Sequence, residues 1–363
     1  MSESDFDLKL RCNHVLSGHP PAATADVLRA MAQSPHALAE PDMYGAGGAV
    51  AALEARVAAL LGKPAAAFFV KGMTAQLASL RTHAEVAGVS NIAIHPQGHM
   101  DVDEAGSIER VGGIAPVRLG RYRPFTVDDL VACRDRLAAV VVELPLRRSG
   151  YLLPPLGALR DISGWCRENG VPLHFDGARL WEAAAGYGVD LAELAALADT
   201  VYVSFYKGLG GIGGAVLAGG EEHVAALAPW KTRFAGNVFT SFPQAITALD
   251  GMDRHLPKMP AYVARARSLA SALNGRIQAV VHPSAPMTNA FQIHMAGTPA
   301  DLKARNRAFA EQHGVWLFNV FTQSPFDGQS IGEVVIGEAA ESFNDETATG
   351  WLAAFCRCGR KAL

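Results

Sequence analysis

Long apolar runs and clusters of basic charge are both missing from this chain, and their absence excludes two classes of function. No uninterrupted apolar run in the 363 residues is long enough to span a bilayer. The formal net charge is -3, and the lysines and arginines are scattered along the sequence. We therefore expect neither a membrane nor a nucleic acid as a partner.

Cysteine is also scarce, and its five residues make an odd number. Such usage in a chain of this length is typical of a reducing compartment and not of a disulfide framework. Cys356 and Cys358 have no partner pair with metal-ligand spacing, so we predict no metal site. The first residues, 1–7, are acidic and polar, unlike a signal peptide. These features predict a cytoplasmic protein.

The sequence has enough apolar material, 50% of its residues, for a sizeable core and two domains. Short apolar runs alternate with amphipathic stretches in the first two thirds of the chain. The predicted strands are 65–70, 91–94, 138–144, 171–175, 201–205 and 215–218, and the predicted helices include 24–33, 51–61, 156–169 and 191–198. This alternation predicts an α/β fold: an open sheet of buried, mostly parallel strands with helices on both faces.

The pattern changes near residue 250. Beyond it we predict helices at 261–273, 300–313 and 347–356, and strands at 315–321 and 333–337. We therefore expect a large domain of residues 1–250, with an N-terminal arm at 1–23, and a smaller α+β domain of residues 251–363.

Lys207 and Asp176 each follow a predicted strand closely, so both can reach the edge where ligands of open sheets bind. Taken singly, an Asp-Gly pair is a common turn, and a lysine before a glycine-rich loop is usually a solvated charge. Together they offer an amine that forms an imine with an aldehyde and a carboxylate that keeps a pyridine nitrogen protonated. That pair predicts pyridoxal 5'-phosphate as the cofactor.

Residues suited to a phosphate lie nearby in the sequence. Gly72, Met73 and Thr74 join a predicted strand to a helix, and N–H groups at a helix start bind phosphate. Thr74 adds a hydroxyl, although a plain helix cap explains it equally well. Ser204, three residues before Lys207, is a further candidate for the phosphate.

Two more side chains suit an amino-acid substrate. Arg179 could hold a carboxylate in a bidentate pair. His99 follows the strand at 91–94, where an imidazole could stack on a pyridine ring and move protons near neutral pH. A lone histidine is more often structural, so His99 gains weight only from the rest of the set.

Several stretches resemble the threonine aldolase and β-eliminating lyase group of fold-type-I pyridoxal-phosphate enzymes. They are Asp42-Met-Tyr44-Gly45, Leu53-Glu54, Gly62-Lys-Pro-Ala-Ala, His99 with Glu104-Ala-Gly106, His174-Phe-Asp176-Gly-Ala-Arg179-Leu and Lys207-Gly-Leu-Gly. These stretches follow the family order over residues 40–220. The histidine-to-arginine and lysine-glycine stretches are the most specific of them.

The resemblance implies a role for each matched residue. Lys207 is the Schiff-base lysine, Asp176 pairs with the pyridine nitrogen, His99 stacks on the ring, Arg179 grips the substrate carboxylate, Glu104 supports the His99 loop, and Gly72 lies at the phosphate. Family members are homodimers or homotetramers whose active sites borrow residues from a neighbour, and Tyr44 resembles such a contribution. The family's N-terminal Arg-Ser-Asp-Thr corresponds to residues 11–14, which places His14 among the implied substrate contacts.

The chain departs from the family pattern at further places besides residues 11–14, and only residues 231–237 stand where the family has a glycine-rich, arginine-bearing phosphate segment. Residues 71–73 replace Ser-Gly-Thr, Tyr206 replaces the serine before the lysine, and residues 333–338 lack the second carboxylate-binding arginine. The leading expectation is an aldolase that cleaves a threonine-like β-hydroxy-α-amino acid to glycine and an aldehyde. Two alternatives stay open: a β-eliminating lyase that gives ammonia and a keto acid, with Lys207 as proton acceptor, and a non-catalytic cofactor-binding sensor.

Overall fold

The computed structural model describes residues 3–357, so Cys358 lies outside the described part of the chain. The strands there are β1 (His14–Val15), β2 (Ala65–Phe69), β3 (Asn91–Ile94), β4 (Ala115–Arg118), β5 (Ala139–Glu143), β6 (Leu173–Gly177), β7 (Thr200–Ser204), β8 (Ala215–Gly219), β9 (Val280–His282), β10 (Ala290–Ala296), β11 (Val315–Trp316), β12 (Phe321–Gln323) and β13 (Gln329–Val335).

The helices are α1 (Asp5–Leu10), α2 (Thr24–Gln33), α3 (Gly48–Leu61), α4 (Gly72–Ala87), α5 (His99–Val102), α6 (Ser107–Arg110), α7 (Val127–Ala132), α8 (Leu156–Asn169), α9 (Leu180–Tyr187), α10 (Leu191–Ala195), α11 (Glu221–Arg233), α12 (Phe242–His255), α13 (Met259–Leu273), α14 (Pro299–His313) and α15 (Asp345–Arg357). Short 3₁₀ helices occupy Pro35–Leu38, Arg147–Ser149, Leu256–Lys258 and Glu338–Ser342. Among the described residues, no helix is long and apolar enough to cross a membrane.

The chain forms two compact units. Residues 30–257 make one of them, and residues up to Arg29 group with those from Lys258 onward in the other. This grouping differs from the expected arm at 1–23, because the N-terminal segment packs within the second unit: β1 pairs with β11 there. The domain limits at residues 1–250 and 251–363 stay a prediction.

The larger unit is built on a seven-stranded sheet with the order β2-β8-β7-β6-β5-β3-β4. The neighbours from β7 to β4 are parallel, and every residue of β6 and β7 is buried. Strands that are buried along their whole length suit a sheet covered on both faces, and the one acidic residue of β6, Asp176, lies near its carboxyl end. The predicted α/β fold is therefore confirmed, and the carboxyl ends of β3, β5, β6 and β7 meet at one edge.

One predicted strand runs in the opposite direction. The segment 215–218 was expected among the parallel strands, but β8 is antiparallel to both β7 and β2. Only residues 205–214 separate β7 from β8, and a parallel crossover needs a dozen residues or more. The short link therefore requires a hairpin. Because β8 is reversed, β2 again runs in the same direction as β7, and its carboxyl end lies at the same edge of the sheet.

Other predicted elements match to different degrees. The structure has α2 and α8 at the predicted residues, whereas the edge strand β4 was missed because Pro116 and its exposed ends hide the strand pattern. The helix expected to begin near Thr74 begins at Gly72.

In the second unit an antiparallel sheet has the order β12-β13-β10-β9. The single strand predicted at 315–321 is wrong, because β11 and β12 are separated at Phe318. There the Asn306 side chain donates to the Phe318 carbonyl at 3.0 Å and accepts its N–H at 3.2 Å. A side chain thus replaces a neighbouring strand as the partner of this backbone.

A buried histidine cluster fastens α4 and α11 to the large sheet. His174 on β6 lies 2.8 Å from the Thr200 hydroxyl, and His83 on α4 lies 3.1 Å from the same oxygen. His223 on α11 stacks on His83 with ring centroids 4.3 Å apart. Burial lowers the pKa of His174 from 6.5 to about 3 and, of His223, from 6.5 to about 4. Burial also lowers the pKa of His83, so the cluster is neutral in the folded protein.

This cluster predicts acid sensitivity of the fold. Below about pH 6.5 the histidines of the unfolded chain bind protons that the folded cluster does not bind. The contribution of the cluster to the free energy of unfolding is therefore fully present above that pH and is lost as the pH drops toward about 4. His223→Gln removes one such site and should reduce the loss, by at most about 1.4 kcal/mol per pH unit. Urea midpoints of both proteins at about pH 7 and about pH 5 measure the effect. His313→Gln, at an exposed position, is the matched control, and equal losses in all three proteins would contradict the prediction.

Candidate active site

Three ionisable side chains meet at the carboxyl edge of adjacent parallel strands. Glu143 is the last residue of β5, Asp176 is the fourth residue of β6, and Lys207 follows the end of β7. In the strand register Asp176 lies opposite Glu143 on one side and Tyr202 on the other. Asp176 is 2% exposed, and one of its carboxylate oxygens accepts the Ala178 N–H at 3.3 Å. The sheet therefore brings the predicted lysine and aspartate together.

The amine of Lys207 is tuned by its surroundings. Burial and the nearby charge of Arg179 lower the pKa of Lys207 from 10.5 to about 8, against the opposing charges of Asp176, Glu143 and Glu182. The change increases the neutral amine at about pH 7 roughly 300-fold over an ordinary lysine. Only the neutral amine attacks a carbonyl carbon, so this lysine is suited to covalent attachment.

Arg179 has hydrogen-bonding capacity to spare. It occupies the N-cap position of α9 without a side-chain capping bond, and its guanidinium carbon lies 5.4 Å from the centre of the buried Tyr151 ring. Its Nη1 is 3.6 Å from Oε1 of Glu182, whose side chain is fully buried. Nε and Nη1 of Arg179 and both oxygens of Glu182 are buried without a hydrogen-bond partner among the described residues. Buried donors in this condition are suited to a carboxylate ligand.

Tyr151 reaches its place under Arg179 at a conformational cost. Its φ of 58° lies in the left-handed region that residues with a Cβ rarely adopt. Backbone strain of this kind persists where surrounding packing enforces it, and it concentrates at functional sites.

His99 is held at both ring nitrogens. Nδ1 lies 3.2 Å from Oδ2 of Asp103, and Nε2 lies 2.8 Å from Oε1 of Glu104. Arg148 donates to Asp103 at 3.1 Å, and the Lys71 amine lies 3.7 Å from Glu104. Each ring nitrogen thus faces a carboxylate, and a neutral ring donates to one of the two at a time. The two carboxylates are in turn paired with Arg148 and Lys71.

The start of α4 forms a candidate phosphate cradle. Its N-cap, Lys71, makes no side-chain capping bond, so the N–H groups of Gly72 and Met73 have no side-chain cap, whereas that of Thr74 donates to the Lys71 carbonyl at 3.1 Å. A Cβ on Gly72 would lie 2.0 Å from the Tyr202 hydroxyl, and one on Gly236 would lie 2.7 Å from Cγ2 of Thr74. Both glycines are thus required by close approach, and the cradle suits an anion at the helix dipole.

Three predicted site residues have other surroundings. The Ser204 hydroxyl donates to the Ala178 carbonyl at 2.9 Å, which fastens the segment after β6 to the end of β7. Tyr44 is 57% exposed, with its N–H donating to the Phe239 carbonyl at 2.7 Å. His14 belongs to the second unit, where its Nδ1 lies 3.1 Å from the Ser342 hydroxyl. Their assigned roles stay predictions.

Three residues of the site were missed in the sequence. Glu143 ends a predicted strand next to the one that carries Asp176, so strand order was the missing information. Glu182 looks like an ordinary helix residue, three positions after Arg179, and only its complete burial distinguishes it. Tyr202 looks like a core aromatic until its contact with Gly72 is seen.

Comparison with known proteins gives the family. The sequence profile of the β-eliminating lyase family matches residues 22–322. This chain belongs to that family. A solved protein of Listeria monocytogenes EGD-E, assigned as an L-allo-threonine aldolase, is 31% identical with a TM-score of 0.88, over 96% of this chain and 98% of that one. The fold-type-I architecture is therefore confirmed.

Curated members of the family match over different lengths. Low-specificity L-threonine aldolase 1 of Arabidopsis thaliana is 27% identical over 77% of this chain and 80% of its own length. Aldolase vrtJ of Penicillium aethiopicum is 38% identical over 47% of this chain, and the match spans only 45% of that relative.

Family membership makes pyridoxal 5'-phosphate the cofactor, and the residues present fit it. The uncapped start of α4 would take the phosphate, Asp176 the pyridine nitrogen, and Lys207 the aldehyde carbon. A crevice lined by His99, Glu143 and Asp176 lies at the same edge.

The charge balance around Lys207 gives a prediction that needs no cofactor. Glu182→Gln removes a negative charge that raises the pKa of Lys207, so the pKa should fall below its value of about 8. Acetylation of the free protein across pH, followed at Lys207 by peptide mass spectrometry, measures that midpoint. Glu104→Gln is the matched control and should leave it in place. An unchanged midpoint in Glu182→Gln would remove Glu182 from this balance.

Proposed function

We propose that this protein is a pyridoxal-phosphate-dependent aldolase. Its substrate is a threonine-like β-hydroxy-α-amino acid, which it cleaves to glycine and an aldehyde. The observation that carries the proposal is that Lys207, Asp176 and Arg179 lie together at one edge of the sheet, and that Arg179 has hydrogen-bond donors without a partner among the described residues. The names of the Listeria and Arabidopsis relatives support the choice of an aldolase.

Arg179 would bind the substrate carboxylate. Its free Nε and Nη1 offer the fork that a carboxylate accepts with both oxygens. Tyr151 fixes the guanidinium from one face, and Glu182 balances its charge. One arginine held in this way compensates for the arginine that residues 333–338 lack. Arg179 and its neighbours are in place before the substrate binds, so they would fix the position of the substrate's α-carbon.

Lys207 and Asp176 would serve the cofactor. When bound, pyridoxal phosphate supplies an electron sink for the electron pair left at the α-carbon. Lys207 would hold the cofactor covalently, for which a readily neutral amine is suited. Asp176 is buried, and its carboxylate would hold a proton on the ring nitrogen.

His99 is the candidate base for the substrate hydroxyl. Cleavage of the Cα–Cβ bond requires loss of the hydroxyl proton as the carbonyl of the aldehyde forms. His99 takes this proton directly or through a water, and Glu104, 2.8 Å from Nε2, stabilises the protonated ring. The α-carbon takes up one proton to complete glycine, and this proton matches the one that the hydroxyl has lost.

Product analysis tests this proposal. Purified protein with pyridoxal phosphate and L-threonine or L-allo-threonine should form glycine and acetaldehyde in equal amounts, measured by amino-acid analysis and aldehyde derivatisation. Lys207→Ala should reduce turnover by about 1000-fold or more, because it removes the covalent attachment point. Ammonia with a keto acid would favour a β-eliminating lyase instead. No turnover of either kind by wild-type protein that binds the cofactor would point to a sensor.

We further propose a homodimer or homotetramer in which Tyr44 reaches the neighbouring site. Tyr44 and Phe239 are 57% and 61% exposed, and their rings pack edge to face at 5.5 Å. Tyr44 has a strained φ of 51°, and Asp42 braces the segment by accepting the Gly45 N–H at 3.1 Å. A strained, braced and exposed aromatic pair is suited to a protein surface that a partner covers.

Mixing of subunits tests this assembly. Tyr44→Ala and Lys207→Ala should each lose most activity alone, because each damages one component of every site. Unfolded together and refolded as a mixture, the two variants should regain up to about a quarter of wild-type activity in a dimer, since mixed dimers hold one intact site. Light scattering of wild-type protein gives the subunit number. A monomer, or a mixture without recovery, would contradict the shared site.

We also propose that the protein works in the cytoplasm. The described cysteines, Cys12, Cys133, Cys166 and Cys356, are all free thiols. Free thiols without disulfides are usual in a reducing compartment, which supports this location.

A further inference from the structure

Glu143 is a buried carboxylate to which the proposed reaction assigns no step. Its Oε2 accepts the His99 N–H at 2.7 Å, and its Oε1 accepts the Arg147 N–H at 3.2 Å. These donors open two separate segments, the short helix α5 and the 3₁₀ helix Arg147–Ser149. One side chain at the end of β5 therefore fixes two loops at once.

The same two loops are joined a second time through side chains. Arg148 donates to Asp103 at 3.1 Å, and Asp103 faces Nδ1 of His99 at 3.2 Å. Glu143 thus sets the backbone of His99, whereas Asp103 and Arg148 set its ring. Both anchors depend on the position of the carboxyl end of β5.

The two N–H bonds demand a carboxylate in particular. An ionised glutamate offers acceptors on both oxygens, whereas glutamine offers one acceptor and places an amide N–H against the second donor. A protonated glutamic acid has a similar defect, because one oxygen then carries a proton. The strength of both bonds therefore depends on whether Glu143 is ionised.

The surroundings of Glu143 make its ionisation sensitive to charge at the cofactor site. Burial and the adjacent Asp176 raise the pKa of Glu143 from 4.5 to about 7, against the two N–H bonds and Lys207. The ionisable groups that face it are Asp176, Lys207, His95 and His99. A cation placed at Asp176 would offset the repulsion between the two carboxylates.

We propose that Glu143 is a positioning residue that couples cofactor binding at Asp176 to the placement of His99. Arrival of a protonated pyridine nitrogen at Asp176 releases the proton of Glu143 to solvent. The ionised carboxylate then holds the N–H groups of His99 and Arg147 fully. The proposal rests on the cofactor site of the proposed function, but it does not depend on which bond of the substrate breaks.

Proton release on binding tests the coupling. Pyridoxal phosphate is added to wild-type protein and to Glu143→Gln at about pH 7 in two buffers that differ in their ionisation enthalpy. The difference between the two heats of binding, measured by calorimetry, gives the number of protons released. Because Glu143 is about half protonated at that pH, wild type should release up to about half a proton more than the variant. Glu104→Gln alters the contacts with the His99 ring and the Lys71 amine but neither N–H bond of Glu143, so it is the matched control and should release as wild type does. Equal release from wild type and Glu143→Gln overturns the proposal.

Amide hydrogen exchange tests the anchoring in wild-type protein as well as in the variant. In wild-type protein at about pH 7, the cofactor should slow exchange at His99 and Arg147 several-fold. Glu143→Gln should exchange faster at both amides by about tenfold and lose the response to cofactor. Exchange in wild type that ignores the cofactor overturns the proposal, even if the variant fails to fold. Cofactor affinity is measured alongside, so a protein that never binds pyridoxal phosphate would instead refute the proposed function.

Discussion

Charge buried at the ends of three adjacent parallel strands is the constraint on which this structure depends. The register of β5, β6 and β7 places Glu143 beside Asp176 and brings both near Lys207. Two carboxylates and an amine in a poorly hydrated place cannot all hold their usual charges at no cost. The pKa values of Glu143 and Lys207 move toward neutrality, to about 7 and about 8. The site is therefore ready for proton exchange before any ligand arrives.

Around this centre, each charged group has an opposite charge close to it. Arg179 has Glu182 at 3.6 Å, and His99 has Asp103 and Glu104 at 3.2 and 2.8 Å. The pairing at Arg179 is loose, which leaves donors for a ligand, while the pairing at His99 is close. Arg179 is thus the part of this edge that can bind a ligand, and His99 is the part that is held rigidly.

The sequence predicted the parts of the site that depend on local pattern. Apolar runs located β3, β6 and β7, and the residues after them identified Lys207 and Asp176. Strand order is not encoded locally, so Glu143 could not be placed beside Asp176 in advance. The direction of β8 was mispredicted because its apolar run does not indicate the direction of the strand. The short connection from β7 to β8 does indicate it, because it is too short for a parallel crossover. Burial was the missing information for Glu182, and the donor bond to Ala178 was the missing information for Ser204.

The hairpin between β7 and β8 has a consequence for how this protein can vary over evolutionary time. Lys207 lies in a loop closed at both ends by antiparallel strands and braced inside, where Gly211 donates to the Phe205 carbonyl at 2.8 Å. Insertion or deletion of a residue in this loop would displace the amine relative to Asp176. We therefore expect length to vary between relatives in other loops, such as the one after the edge strand β4, while the lysine keeps a fixed reach.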